Sequence, residues 1–340
     1  MNIHGVLPDQ LAAHLGCAPT HARSLLAKTL AFHPSAMPKR SAVPRVVHDA
    51  FAALDHRGLE VVEEVTDPSD GFVKYLLRSP PVGDDAVGAL TEAVKIPLEK
   101  PGCFTLCLSS QVGCAMGCTF CATGRMGFTR HLEAWEIVSA FKVVRDRLAA
   151  DERITGAVFM GQGEPLHNYD QVIQAARILS DPSGGRIKAE AISISTVGVV
   201  PAILRYAAEG HRYRLIVSLT SAVPERRATF LPVTRKWPLP MLADAIRVLH
   251  QAHQDRVTVA WVVMGGVNTG ADEVEALRDL LGDVPLRVNL IDVNDAGFAR
   301  ASAGELDGFR DHLRALGVPV VRRYSGGRER HAACGMLANR

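Results

Sequence analysis

Between residues 104 and 322 the chain alternates short apolar runs with segments of helical period, and this alternation limits the fold more than any other feature. The pattern predicts strands at 104–108, 154–160, 191–195, 213–219, 257–263 and 286–291, with a seventh short one at 318–321. Helical periodicity lies between them, near 132–148, 169–179, 199–209, 239–250, 271–281 and 303–316. Repeated strand–helix units argue for a parallel sheet joined by right-handed crossovers. Six or so units fit an α/β fold of the incomplete (β/α)6 barrel type. The nearest alternative is an open doubly wound sheet, but Gly161-Gln162-Gly163 lacks the third glycine of a dinucleotide fingerprint.

In a barrel the chemistry sits at the C-terminal ends of the strands. The first strand leads into CLSSQVGCAMGCTFCATGRMGFTR, starting at Cys107, where Cys114, Cys118 and Cys121 stand in C-x3-C-x2-C spacing. A structural zinc site closes with four ligands, and an ordinary iron–sulfur cluster also takes four. A cubane cluster held by three cysteines keeps one iron open to a bidentate small molecule, as in the radical S-adenosylmethionine (SAM) enzymes. The competing reading is a zinc loop completed by Cys107, His131 or His167. Other rims carry Glu164 after the second strand, Ser195-Thr196 after the third, Ser218-Leu219-Thr220 after the fourth and Asn294 after the sixth. Singly, each fits a strand-end cap. Together, a carboxylate for an ammonium group and hydroxyls and an amide for a ribose favour one ligand.

Residues 1–70 read as a small helical module, with apolar spacing at 7–15, 21–30 and 46–54 and Pro34, Pro38 and Pro44 between the last two helices. Its Arg23, Lys28, Lys39, Arg40 and Arg45 suit a solvated face, or as a set a contact for phosphate. From 71 to 100 the period changes to two, giving a linking β-hairpin of strands 71–79 and 90–96 around a turn at 81–88. Glu92 then shares a face with Leu90, Val94 and Ile96. Pointed inward, that carboxylate has a raised pKa and can exchange protons near neutrality; at a sheet edge it is merely solvated. Residues 101–340 form the core and its tail. No apolar run is long enough to span a membrane, no secretory leader is recognised at the N-terminus, and seven cysteines in this pattern fit a reducing compartment. A cytoplasmic enzyme is therefore expected. A formal charge of +2 neither demands nor excludes nucleic acid.

CLSSQVGC with the following cysteines, VFMGQGEPLHNYD from Val158, ISISTVGVVPAI from Ile192, LPVTRKWPL from Leu231 and HAACGML from His331 together resemble the RlmN/Cfr family of radical SAM adenine methyltransferases acting on 23S rRNA. The resemblance covers nearly the whole chain. It implies one 4Fe-4S cluster on Cys114, Cys118 and Cys121, with SAM contacts at Gly163, Glu164, Ser195, Ser218, Leu219, Thr220 and Asn294. It also implies that Cys334 takes a methyl group from one SAM, and that a radical made from a second SAM removes hydrogen from that methyl. The carbon radical then adds to C2 of adenine, with C8 the variant outcome. Release of the covalent adduct falls to Glu92 as proton acceptor and Cys107 as resolving thiol, which leaves a disulfide with Cys334.

The thiols should be activated by basic neighbours, and Arg328, Arg330 and His331 precede Cys334 in what reads as a mobile tail. Cys17 and Cys103 read as packing residues. Arg226, Arg227, Arg235, Lys236, Arg322 and Arg323 are candidates for holding phosphates around an extruded base. The sequence departs from the family at Thr220, where a histidine is usual, at Thr234, where an asparagine is usual, in Asp295-Ala296-Gly297, and in the tail from Gly326 to His331. A small-molecule or peptide substrate is thus one alternative, and a zinc-stabilised RNA-binding protein another. The resemblance further implies tRNA as a second substrate and a low-potential donor such as flavodoxin. A monomer is expected.

Overall fold

The computed structural model describes residues 1–32, 42–81, 87–295 and 297–339. Pro34, Pro38, Lys39, Arg40, most of the turn expected at 81–88, and Ala296 lie outside them. Three helices open the chain: α1 (Pro8–Leu15), α2 (Pro19–Leu30) and α3 (Arg45–Ala52). Pro8 and Pro19 stand at first-turn positions, where the missing N–H costs nothing. The helices close on a small core of Leu11, Leu25, Leu26 and Phe51, against which Cys17 packs.

One ten-stranded sheet then runs in strict chain order, apart from a two-stranded ribbon. Its antiparallel part is β1 (Glu60–Thr66), β2 (Val73–Arg78) and β3 (Leu90–Pro97), and β3 pairs antiparallel with β4 (Cys103–Cys107). The ribbon is β5 (Gln111–Gly113) with β6 (Phe128–His131), and α4 (Ala122–Met126) lies between its strands in sequence. After α5 (Ala134–Arg145) the parallel part continues through β7 (Arg153–Phe159), α6 (Tyr169–Ser180), β8 (Ile192–Thr196), α7 (Val200–Glu209), β9 (Arg214–Ser218), α8 (Pro224–Phe230) and α9 (Leu239–His253). It ends with β10 (Val257–Val263), α10 (Ala271–Leu281), β11 (Leu286–Asp292), α11 (Ala303–Ala315) and β12 (Val320–Arg323). β4 and β7 to β12 are parallel neighbours throughout. This is the partial barrel of the α/β expectation, with helices covering its outer face.

Two sequence boundaries move. Residues 60–66 form a strand, so the helical module ends before them rather than at 70. The 71–100 hairpin is not a separate linker, because β3 bonds directly to the first barrel strand. β10 is apolar apart from Thr258, as a strand covered on both faces should be, whereas β8 alternates Ile192 and Ile194, which lie in the core, with Ser193 and Ser195. Local signals set the helix ends: Ser302 Oγ accepts from Glu305 N at 3.2 Å while Glu305 returns a bond to Ser302 N, a capping box that starts α11. No helix among the described residues is long and apolar enough to cross a membrane.

Candidate functional site

The C-terminal ends of the parallel strands surround one cavity. Cys114, Cys118 and Cys121 line it from the loop after β5, Gly163 and Glu164 from the loop after β7, Ser195 and Ser218 from β8 and β9, and Asn294 from beyond β11. The cysteine loop is held by Cys114 N donating to Gly127 O at 2.7 Å and Thr119 N to Phe230 O at 3.0 Å. Gly113 makes this closure possible. Its φ is 73°, and a Cβ there would lie 1.9 Å from Gly127 O. Gly163, at φ 100°, lets its loop pass where a Cβ would lie 2.6 Å from Gln111 Cβ. Gln111 Oε1 in turn accepts from Glu164 N at 2.8 Å.

Glu164 is aimed by its own backbone surroundings. Its oxygens accept from Leu166 N and Val197 N, both at 2.9 Å. Burial nevertheless pushes its pKa up to about 7, since even two donated bonds do not replace water around a carboxylate. Ser195 and Ser218 bring their hydroxyls within 3.5 Å of each other. Leu219 and Thr220 behave differently: both are fully buried, neither lines the cavity, and their amides bond to Ala260 O. Thr220 also sits at φ 62°.

Cys334 lines the same cavity although it lies more than two hundred residues from the cysteine loop. Asn294 Nδ2 donates to Cys334 O at 3.1 Å and to Ser325 Oγ at 2.8 Å. The flanking tail is pinned to α4, where Ala122 N donates to Gly335 O and Thr123 Oγ1 to Leu337 O, each at 2.7 Å. Farther back, Asp70 Oδ2 accepts from Tyr324 OH and Gly327 N, and Asp67 Oδ2 from Glu329 N. The expected mobile tail is therefore docked along its length. The expected thiol activation is also altered. Cys334 is exposed to the cavity, but the protein enclosing that cavity desolvates the thiol and raises its pKa. Ser325 and Arg323 oppose the rise, so its basic neighbour is Arg323 rather than Arg328, Arg330 or His331. Cys107, buried on β4, is pushed well above the usual thiol range by desolvation and then by the nearby Cys334.

Glu92 is 1% exposed, on an interior strand and not at an edge. Lys74 Nζ stands 3.2 Å from its Oε1, while Oε2 accepts from Gln162 Nε2 at 3.2 Å and Asn339 N at 3.1 Å. Desolvation raises its pKa against the pull of Lys74 and these donors. The alternative zinc ligands are elsewhere: Cys107, His131 and His167 do not line the cavity, and both histidines turn Nδ1 toward Gln111 Nε2.

Residues 108–281 match the model of the Radical SAM superfamily. "Probable RNA methyltransferase" of Anaeromyxobacter sp. (strain Fw109-5) is 51% identical over 309 residues, covering 89% of each chain. "Dual-specificity RNA methyltransferase RlmN" of Anaeromyxobacter dehalogenans is 35% identical over 339 residues, or 96% of this chain and 88% of the relative. The chain belongs to the RlmN/Cfr-like family of radical SAM enzymes. A radical SAM methyltransferase from Sphaerobacter thermophilus has the same fold throughout, with a TM-score of 0.86 at 34% identity and 100% coverage of both chains.

Membership in the RlmN/Cfr-like family implies a 4Fe-4S cluster and SAM, and the donor set fits both. Three thiols from one loop could hold the cluster, Glu164 could accept from an ammonium group, and the paired serine hydroxyls could bond a diol. The phosphate candidates need revision. Arg227 is wholly buried, donating to Leu219 O, Thr234 Oγ1, Val197 O and Ser218 O. Arg226 is paired with Asp272 and Glu273, and Arg322 with Asp292; Arg235, Lys236 and Arg323 are exposed. Sequence reading missed Lys74, Gln162 and Asn339. Gln162 stood inside a motif already singled out, while nothing local marks the other two.

Proposed function

We propose that this chain methylates an adenine carbon of 23S rRNA, C2 with C8 as the variant outcome and tRNA as a second substrate, through a methylated Cys334 and two SAM per turnover. One observation carries the reading: Cys334 lines the same cavity as the cysteine loop and Glu164. The relatives' names supply the RNA. Bound at Cys114, Cys118 and Cys121, the cluster supplies the electron for reductive cleavage of SAM. Gly163, Glu164, Ser195, Ser218 and Asn294 hold SAM along the rim, while Leu219 and Thr220, buried outside the cavity with their amides on Ala260 O, support the strand ends that carry it.

The chain's own residues do the rest. Cys334 carries the methyl carbon to the base, the adduct's unpaired electron would pass back to the bound cluster, and Glu92 takes the ring proton. Cys107 attacks the Cys334 sulfur, so that a disulfide forms as the sulfur–carbon bond breaks and its electron pair passes to the methylene carbon, which takes up a proton. The exposed Arg235 and Lys236 hold phosphates beside the entrance. A flavodoxin-like protein would be the electron donor, and the enzyme works as a cytoplasmic monomer.

The test uses anaerobically reconstituted, dithionite-reduced protein with deuterium-methyl SAM and a 23S rRNA fragment. Mass spectrometry should find methyladenine carrying two deuteriums from the donor methyl, together with 5'-deoxyadenosine. Labelled Cys334 and 5'-deoxyadenosine with unmodified RNA would overturn the RNA assignment.

A further inference from the structure

The carboxylate of Glu92 is bonded to the very segment that carries Cys334. Asn339 N donates to Oε2 at 3.1 Å, Gln162 Nε2 bridges that same oxygen and Asn339 Oδ1 (3.2 and 2.8 Å), and Lys74 Nζ lies 3.2 Å from Oε1. Strand register explains the ion pair. Leu76 stands opposite Glu92 and Lys74 opposite Val94, so Lys74 is the diagonal neighbour on the same inward face. The Lys74 and Glu92 side chains are 4% and 0% exposed, respectively. Nothing in the methylation chemistry requires the proton acceptor to hold the tail, yet this one does.

We propose that Lys74, Gln162 and Asn339 are positioning residues that make Glu92 a charge-dependent latch for the Cys334 tail. The inference rests on Glu92 being the proton acceptor of the proposed function. While Glu92 is ionised, it accepts from Asn339 N and balances Lys74, and the tail stays docked. When a proton passes from the substrate carbon to a Glu92 oxygen, the carboxylate becomes a neutral acid and its charge-assisted bonds weaken. The tail is then freed at its C-terminal anchor. The Cys334 segment keeps its bonds to α4 and Asn294 but has lost its terminal hold, so its movement toward Cys107 is favoured after the ring has lost its proton, which puts release of the adduct in the productive order.

The groups facing Glu92 are few. β2 contributes Lys74, β4 the thiol of Cys107 beside Val94, the loop after β7 the neutral amide of Gln162, and the tail the backbone of Ala338 and Asn339. Lys74 is thus the cation that sets the charge state of the latch.

Hydrogen–deuterium exchange on the full chain tests this without turnover. Glu92→Gln should lower the protection of residues 333–339 by about tenfold or more, the scale of losing a hydrogen bond to a charged group, while residues 324–330, pinned by Asp67 and Asp70, keep theirs. Lys74→Gln should loosen the same residues at neutral pH and restore them as the pH rises and Glu92 ionises again. Wild-type protection in Glu92→Gln, or no pH response in Lys74→Gln, overturns the latch. If Glu92→Gln does not fold, a chain ending at Ala338 removes the donor without touching the carboxylate, and unchanged protection there overturns it equally. The two readings separate on addition of RNA and SAM. A Glu92→Gln protein that traps an RNA adduct with a tight tail keeps the proton acceptor and sinks the latch; normal turnover with a loose tail does the reverse.

Discussion

Glu92 and Glu164 are both pushed toward the neutral acid by burial, yet their surroundings differ in what would restore the charge. Glu92 has Lys74 built in, whereas Glu164 has neutral donors, the amides of Leu166 and Val197 and the Thr196 hydroxyl. A ligand ammonium beside Glu164 would lower its pKa from about 7, so SAM binding should release a proton near pH 6.5 and tighten as pH rises through 7. Calorimetry in two buffers of different ionisation enthalpy would read that proton, and Glu164→Gln should abolish it while weakening binding about tenfold or more. The stability consequence has the opposite sign. With the folded pKa above the ordinary glutamate value of 4.5, the ligand-free fold binds more protons than the unfolded chain, so this group's contribution is fully present below about 4.5 and lost as pH rises through about 7.

The two remote thiols make a second residue-scale contrast. Cys334→Ala should give no methylated cysteine and no methylated RNA. Cys107→Ala should still load Cys334 but accumulate protein covalently bound to RNA, seen as a shifted band that nuclease digestion collapses. Because desolvation raises the Cys334 pKa while Ser325 and Arg323 oppose the rise, loading should speed up as the pH rises and go on rising past the ordinary thiol range. Arg323→Met should slow it most at the lower end.

At the scale of elements, Arg227 shows how a charge can serve architecture. From α8 it gathers the carbonyls of Val197, Ser218 and Leu219, which close the ends of β8 and β9, and it bonds Thr234. Arg227→Met should therefore cost about 3 kcal/mol or more, since several buried acceptors lose their donor, and SAM affinity should fall with it. Arg235→Ala with Lys236→Ala should leave the melting temperature unchanged and weaken only RNA binding. The Thr234 departure is explained by the same interaction, because its hydroxyl serves Arg227 and not a ligand. Sequence could not reveal this: an arginine in a basic stretch looks the same whether its partners are phosphates or carbonyls brought in by two separate loops. The period-3.6 helices and the apolar parallel strands were legible because burial dictates their spacing. β1 was not, since Glu60-Val61-Val62-Glu63-Glu64-Val65-Thr66 lies at the sheet edge and is mostly exposed, leaving little apolar alternation to read. Glycine spacing marked the cysteine loop, but β5, only three residues long, gave no period.

For the whole molecule, the question is how firmly the helical module sits on the barrel. It has its own core, but Leu30 at the end of α2 belongs to the main core, and Arg145 from α5 donates to Leu30 O and, at 3.1 Å, to Thr29 O. Those are terminal carbonyls of α2 that no helical amide can reach, so a barrel side chain caps a module helix. Gln174 Nε2 adds bonds to Gly5 O and Gln10 Oε1. Module and barrel should consequently melt together, although each has a core. Arg145→Met keeps the aliphatic stem but removes the cap. It should split the calorimetric transition in two, with residues 1–56 losing amide protection first. If the module's Lys28, Arg23 and Arg45 meet RNA phosphates, the variant should bind RNA more weakly and with a shallower salt dependence, by roughly 0.7 to 0.9 in the logarithmic slope for each phosphate no longer neutralised. SAM affinity should not move, because the cavity lies at the C-terminal rims of other elements. A single unshifted transition would mean that the two cores are joined by apolar packing alone; a lost SAM site would mean that the module supports the rim through the sheet.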